Sequence, residues 1–137
     1  MTNKLNFKQI MIAGLTAALV SVIINSILFF IFKVIGWITD DIFVQPNQPL
    51  TVVPVIISSI APTLIASVVF FLMEKYTQNG FKIFSIVSIV LMLLSLAMPF
   101  TGIPNVTTKY ALALEPMHFV VPLVLLYCIN KAQKSNA

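Results

Sequence analysis

Charge is scarce in this 137-residue sequence: four acids, eight lysines, no arginine and a single histidine, with Asp, Glu, Lys and Arg together only 9% of the chain. A soluble domain carries roughly 25% of these residues, and so few cannot cover the outside of a 15.2 kDa globule. The absence of arginine argues against a nucleic-acid surface, where clustered Arg and Lys are expected; the net charge of +4 fits weak attraction to anionic headgroups instead. One cysteine, Cys128, permits no intrachain disulfide and reads as a small apolar filler. One histidine leaves no plausible zinc site, because most catalytic sites need three protein ligands and only Glu115, Asp40 and Asp41 stand by to help. No nucleophile elbow or oxyanion motif accompanies the serines. The expectation is a chain that is not an enzyme and that carries no cofactor or metal.

What is abundant is apolar: 59% of residues are hydrophobic, and the mean hydropathy is +1.03. A helix that crosses a bilayer needs about 20 mainly apolar residues, and four such runs are present, at about 10–32, 52–73, 83–99 and 108–129. The first is about 34 Å long as a helix, enough to cross with some tilt. It is also too long for a cleaved secretory h-region and has no small-residue cleavage site after it, so it reads as a retained anchor. The fourth run holds Glu115, Pro116, His118 and Pro122. A helix starting only at Pro116 and ending at Lys131 is about 24 Å long, too short to cross comfortably. Tyr110 to Leu114 are good helix formers, so a longer helix kinked near Glu115 is expected. The fold class is thus all-α, a four-transmembrane-helix bundle forming a single domain over residues 1–137.

Six of the eight lysines (Lys4, Lys8, Lys75, Lys82, Lys131 and Lys134) fall on the side shared by the two termini and the loop between the second and third runs. Lys33, Lys109, Asp40 and Asp41 fall on the other. The positive-inside rule then places both termini in the cytoplasm of a cell carrying this protein in its inner membrane. Trp37, Tyr76 and Tyr127 lie near the expected interfaces, as amphipathic rings tend to. In the first outer loop, 36–51, the turn cluster Gln45-Pro46-Asn47-Gln48-Pro49 separates two short apolar stretches, a pattern for a small β-hairpin. Such a hairpin is marginal alone and needs to pack on the helix ends. The second outer loop, 100–107, reads as a plain turn, and no repeat or low-complexity tract is evident.

Helices associate in lipid through small residues and polar side chains, since lipid tails solvate leucine as well as another helix does. Gly14 and Ala18, with Ala17, Ser21 and Asn25, define one face of the first helix. Ser59, Thr63 and Ser67 repeat at i+4 around Pro62 in the second. Ser85, Ser88, Met92 and Ser95 line the third, and Ala111, Glu115, His118 and Pro122 the fourth. The plain expectation for the hydroxyls is a bond to their own helix carbonyls, including the Ser58 carbonyl that Pro62 frees. An amide at Asn25 without partners costs several kcal/mol in hydrocarbon, so it is expected to bond another helix, as packing glue in preference to a ligand contact.

Glu115 and His118, three residues apart, are the one ionisable pair in the apolar runs. Groups of this kind inside a membrane suggest proton relay or ligation. They lie only about 9 and 14 Å along the helix from Lys109, shallow enough for water to reach the carboxylate. The plainer alternative is a structural pair at the kink that contacts Asn25, Lys33 or loop backbone.

The charged start before a small-residue-rich first helix, the Pro-containing outer loop, Leu94 to Pro99, and Ala111-Leu112-Ala113-Leu114 leading to Met117-His118 together carry a resemblance. The chain resembles a family of uncharacterised bacterial four-helix integral membrane proteins, a domain of unknown function. The resemblance covers nearly the whole chain and implies that His118, near the start of the last helix, is a typical feature, but it implies no reaction. Lysine-only, isoleucine- and asparagine-rich usage departs from Ala- and Arg-rich members. The functional expectation is a non-enzymatic structural or interaction bundle whose partners are the lipid bilayer and a second copy or another membrane protein, with no nucleic acid. The alternative is a small proton-linked carrier using Glu115 and His118 in an outward-facing vestibule.

Overall fold

Asn6 starts the first helix. Its side-chain oxygen accepts from the Gln9 N–H at 2.9 Å while the Gln9 side chain accepts from the Asn6 N–H at 2.9 Å, a reciprocal capping box that satisfies two donors left free at a helix start. The computed structural model describes residues 4–136. Helix α1 runs from Phe7–Val34, a few residues beyond the expected 10–32 at each end. It stops at Gly36, whose φ of 73° suits a residue without a Cβ. There the N–H groups of Gly36 and Trp37 donate back to the carbonyls of Lys33 and Phe32 at 3.2 and 2.9 Å, and the Trp37 ring stacks on Phe32. This is a Schellman termination with its apolar contact.

The 36–51 loop contains the expected hairpin: strands β1 (Phe43–Gln45) and β2 (Gln48–Pro49) pair antiparallel, with Gln45 opposite Gln48 and Phe43 opposite Pro49. Pro46 and Asn47 make the two-residue turn, Pro46 with its ring-fixed φ and Asn47 at φ 58°. Helix α2 (Val52–Tyr76) holds Pro62 within its length. Helix α3 (Gly80–Ser95) ends where Pro99 has no N–H for the Ser95 carbonyl; after two turn residues a single helical turn, α4 (Met98–Thr101), completes the span. The 100–107 turn is therefore shorter than expected. Helix α5 (Thr108–Asn136) is the long form, opened by Thr107 Oγ1 accepting from the Tyr110 N–H and running through both Pro116 and Pro122. Four helices, counting α3 and α4 as one run over Gly80–Thr101, are long and apolar enough to cross a membrane.

These helices form a bundle in which α1 packs on both α2 and α5, while α3 leans on α2 and α5 from outside. The α1 face is the one its small residues mark: Ala13, Gly14, Ala17, Ala18, Ser21 and Asn25 are all buried. The α2 face is Val55, Ser59, Thr63, Ser67, Phe70 and Glu74. At Gly14 the two helices come so close that a Cβ there would overlap the Ser67 side chain. Ser85, Ser88, Met92 and Ser95 do turn inward but stay half-buried, because only Gly80 and Phe84 of α3 are fully enclosed. On α5 the enclosed face is Tyr110, Ala111, Ala113, Met117, Leu125 and Ile129, rotated from the expected Ala111-Glu115-His118-Pro122 stripe, of which only Ala111 is fully buried.

Two apolar clusters hold the ends. At the end bearing the termini, Leu5, Ile10, Ala13, Ala17, Phe70, Phe84, Leu125 and Ile129 pack together. At the hairpin end, Ile38, Ile42 and Leu50 from the loop sit on Phe29, Val55, Tyr110, Ala113 and Met117. Polar links tie the terminal end across elements: Lys4 Nζ donates to the Thr77 carbonyl (3.0 Å), Gln9 Nε2 to Asn136 Oδ1 (2.9 Å) and Gln133 Nε2 to Glu74 Oε1 (3.3 Å). Both chain ends and the α2–α3 turn thus share one end of the bundle. Gly14→Val should lower stability in detergent by about 1–3 kcal/mol through overpacking against Ser67. Leu19→Ile, on the exposed face of α1, should leave it within about 0.5 kcal/mol; thermal unfolding followed by circular dichroism measures both.

Candidate functional site

Between the two apolar clusters lies a polar seam built from α1, α2 and α5. Its centre is Asn25, 2% exposed. One amide N–H donates to Ser59 Oγ at 2.9 Å and the other, more weakly, to the Met117 carbonyl at 3.4 Å. Ser59 can accept because its own hydroxyl hydrogen goes to the Val55 carbonyl at 2.8 Å, and a hydroxyl both donates and accepts. Further along α2, Thr63 and Ser67 donate to the Ser59 and Thr63 carbonyls at 2.6 and 2.7 Å. The α2 hydroxyls therefore serve their own backbone, as the plain expectation had it, but they bond the Val55, Ser59 and Thr63 carbonyls and not the Ser58 carbonyl that Pro62 frees; Ser59 alone among them also receives α1.

Asn25 is thus placed at the level of the α5 segment that carries Glu115 and His118, but it meets that segment through the backbone of Met117. Glu115 and His118 are half-buried at the edge of the α5 interface. Met117, between them in sequence, faces inward. Pro122 leaves the His118 carbonyl without its helical donor, and Pro116 does the same for Leu112. Lys33 does not reach Glu115; its ammonium pairs with Asp40 at 2.9 Å and lies 5.8 Å from the Phe29 ring centroid.

Four polar atoms are buried without a hydrogen-bond partner among the described residues: Ser21 Oγ, Asn25 Oδ1, Tyr110 OH and Glu115 Oε1. Ser21 stands one turn from Asn25 on the same face of α1, and Tyr110 two turns from Met117 on the same face of α5. Tyr110 was missed in the sequence, although its spacing to Ala113 and Met117 (i, i+3, i+7) was there to be read. The buried Glu74, bonded to Gln133 on α5 and crowded by Gly80, was missed too. Glu74 stands just past the end of the second apolar run, and only the α2–α5 pairing reveals its burial. Among the described residues no three of His, Cys, Asp and Glu gather where they could hold a metal ion.

The arrangement is a polar seam with one interhelical amide, and with an acid and an imidazole at its margin. Comparison with protein-family models matches residues 6–135 to a family of unknown function, DUF6069. The chain belongs to that family. The match spans almost all of this DUF6069 member, as the resemblance in the sequence implied. No curated protein and no solved structure matches it.

The Asn25–Ser59 bond makes a measurable claim. A double-mutant cycle of Asn25→Ala and Ser59→Ala, read by unfolding in detergent, should give a coupling of about 0.6 kcal/mol and no more than about 1.7 kcal/mol. Additive losses would show that the contact carries no interaction energy.

Proposed function

We propose that this DUF6069 member is a non-enzymatic structural or interaction bundle of the inner membrane, a single domain with both termini cytoplasmic. Its partners are lipid and a second copy or another membrane protein. One observation carries this: the amide nearest mid-span, Asn25, has both N–H groups turned to neighbouring helices and is sealed between two apolar clusters. A group that binds a passing solute needs a route to water, and the one polar atom that Asn25 leaves unpartnered, Oδ1, is buried. Asn25 is instead what fastens α1 to its two neighbours. The hairpin loop adds support, since Ile38, Ile42 and Leu50 plug the end at which an outward vestibule would open.

A second reading is favoured by the unpartnered Glu115 Oε1: a carboxylate oxygen held out of water beside His118 has the makings of a proton carrier. Flux decides between the two. In proteoliposomes under an imposed pH gradient, His118→Ala and Glu115→Gln should leave proton leak equal to that of the unaltered chain, and both should fold normally. A severalfold fall in flux with either variant would replace the bundle by the carrier.

Orientation is open to a separate experiment. In a Cys128→Ala background, cysteines introduced at Lys8 and Ser135 should react with an impermeant maleimide only after cells are permeabilised. A cysteine at Asn47, in the exposed hairpin turn, should react in intact cells. The reverse pattern would overturn the lysine-based assignment.

A further inference from the structure

At the terminal end a groove opens between α1 and α5, with a volume of about 380 Å³. Gln9 and Lys131 lie at its mouth; Ala13, Thr16 and Cys128 line it toward the middle of the bundle. The groove exists because the facing positions are small, Ala13 on one wall and Ala132 on the other. From Gln9 to Thr16 it follows α1 for about 10 Å. Gln9 Nε2 spends one of its two hydrogens on Asn136 and keeps the other. The Lys131 ammonium forms no ion pair, the single one among the described residues being Lys33–Asp40 at the opposite end.

We propose that this groove binds one anionic glycerophospholipid, its headgroup phosphate on Lys131 beside the Gln9 amide and an acyl chain along Ala13, Thr16 and Cys128. The charge pattern selects this occupant. Six lysines stand at the terminal end against one acid, Glu74, which is buried and bonded to Gln133. Basic pockets between helices at a membrane surface suit acidic headgroups. A second copy in the same orientation would bring to this height only its own Glu74, already buried and bonded to Gln133, because Asp40 and Asp41 lie at the far end and Glu115 is in the span. The lining agrees: a charged and amide-bearing mouth leads into an open groove lined by Ala13, Thr16 and Cys128.

The proposal rests on the chain spanning a bilayer, which is checked separately by whether detergent is required to extract it. The full chain in detergent is then offered equal amounts of phosphatidylglycerol and phosphatidylcholine with matched acyl chains, and retained lipid is read by native mass spectrometry. Phosphatidylglycerol should be retained at least fivefold over phosphatidylcholine. Lys131→Gln should remove most of that preference, as should Thr16→Trp, which fills the groove from an exposed position; Lys82→Gln, on α3, should leave it intact. Equal retention of the two lipids, or an equal loss in Lys82→Gln, overturns the site, since charge anywhere at that end would then suffice. Should Thr16→Trp fail to fold, the unaltered chain still decides through Cys128: phosphatidylglycerol should slow its alkylation by N-ethylmaleimide severalfold. No slowing, or equal slowing by inorganic phosphate, overturns the acyl-chain path.

Discussion

The junction at Asn25 is the constraint from which the rest of the bundle follows. An amide removed from water costs several kcal/mol unless its hydrogens are taken, and here they are taken by two different helices at one height. That requirement brings α1, α2 and α5 to a common point and leaves α3 outside it. It also sets the approach of α1 to α2. Ser59 Oγ must come within 2.9 Å of the amide, and such proximity is sustained along the seam only because Gly14 and the alanines of α1 face the serines and threonine of α2. The small residues are thus a condition for the polar bond, and the polar bond gives the small-residue face its partner.

Apolar packing above and below isolates this junction. The hairpin end is closed by side chains that the loop contributes, so the strands serve less as a sheet than as a way to return Ile42 and Leu50 to the same cluster. Two short strands have little stability of their own; their anchorage is the burial of those two residues against Phe29 and Tyr110. At the other end Phe70 is enclosed by Ile10, Phe84 and Leu125. The seam between is consequently shielded along the bundle axis, and its remaining unpartnered oxygens, Ser21 Oγ and Asn25 Oδ1, sit in the shielded part. Tyr110 is different, its hydroxyl lying within the hairpin-end cluster itself.

Much of this was legible in the residue order. Length and hydropathy reveal the four spans because backbone groups surrounded by hydrocarbon must bond within their own helix, which makes long apolar runs nearly unambiguous. The α1 and α2 faces were equally plain, since small and polar residues at i+4 spacing stand out against Leu, Ile and Val. The rotation of α5 was harder to see. Two stripes compete there, Tyr110-Ala113-Met117 and Ala111-Glu115-His118, separated by about 130° on the helix. Polarity draws attention to the second, whereas packing volume favours the first: Ala113 and Met117 can be enclosed without cost, but Glu115 and His118 cannot. The break in the third span followed from Pro99, yet its consequence, a separate turn of helix, depended on how the chain crosses to α5. Glu74 was invisible for a similar reason, its partner Gln133 being 59 residues away.

The loose attachment of α3 bears on what surrounds the bundle. It is held near its start, where Gly80 lets the first turn lie directly on Glu74 and Phe84 meets Phe70 with ring centroids 5.1 Å apart, and again where Pro99 is buried. Its middle exposes Ile86, Val90, Leu91 and Leu94. In water such a surface would be a strong association site, whereas in a bilayer lipid tails would solvate it as well as another helix does. Burying these large side chains against a neighbouring helix would therefore bring no hydrophobic gain in a bilayer, and their bulk keeps helix backbones farther apart than small residues do. The small residues of α3, Ser85, Ser88 and Ser95, are already turned inward. The outer face of α3 is accordingly short of the small residues through which helices approach most closely, although this run is the least enclosed of the four apolar ones.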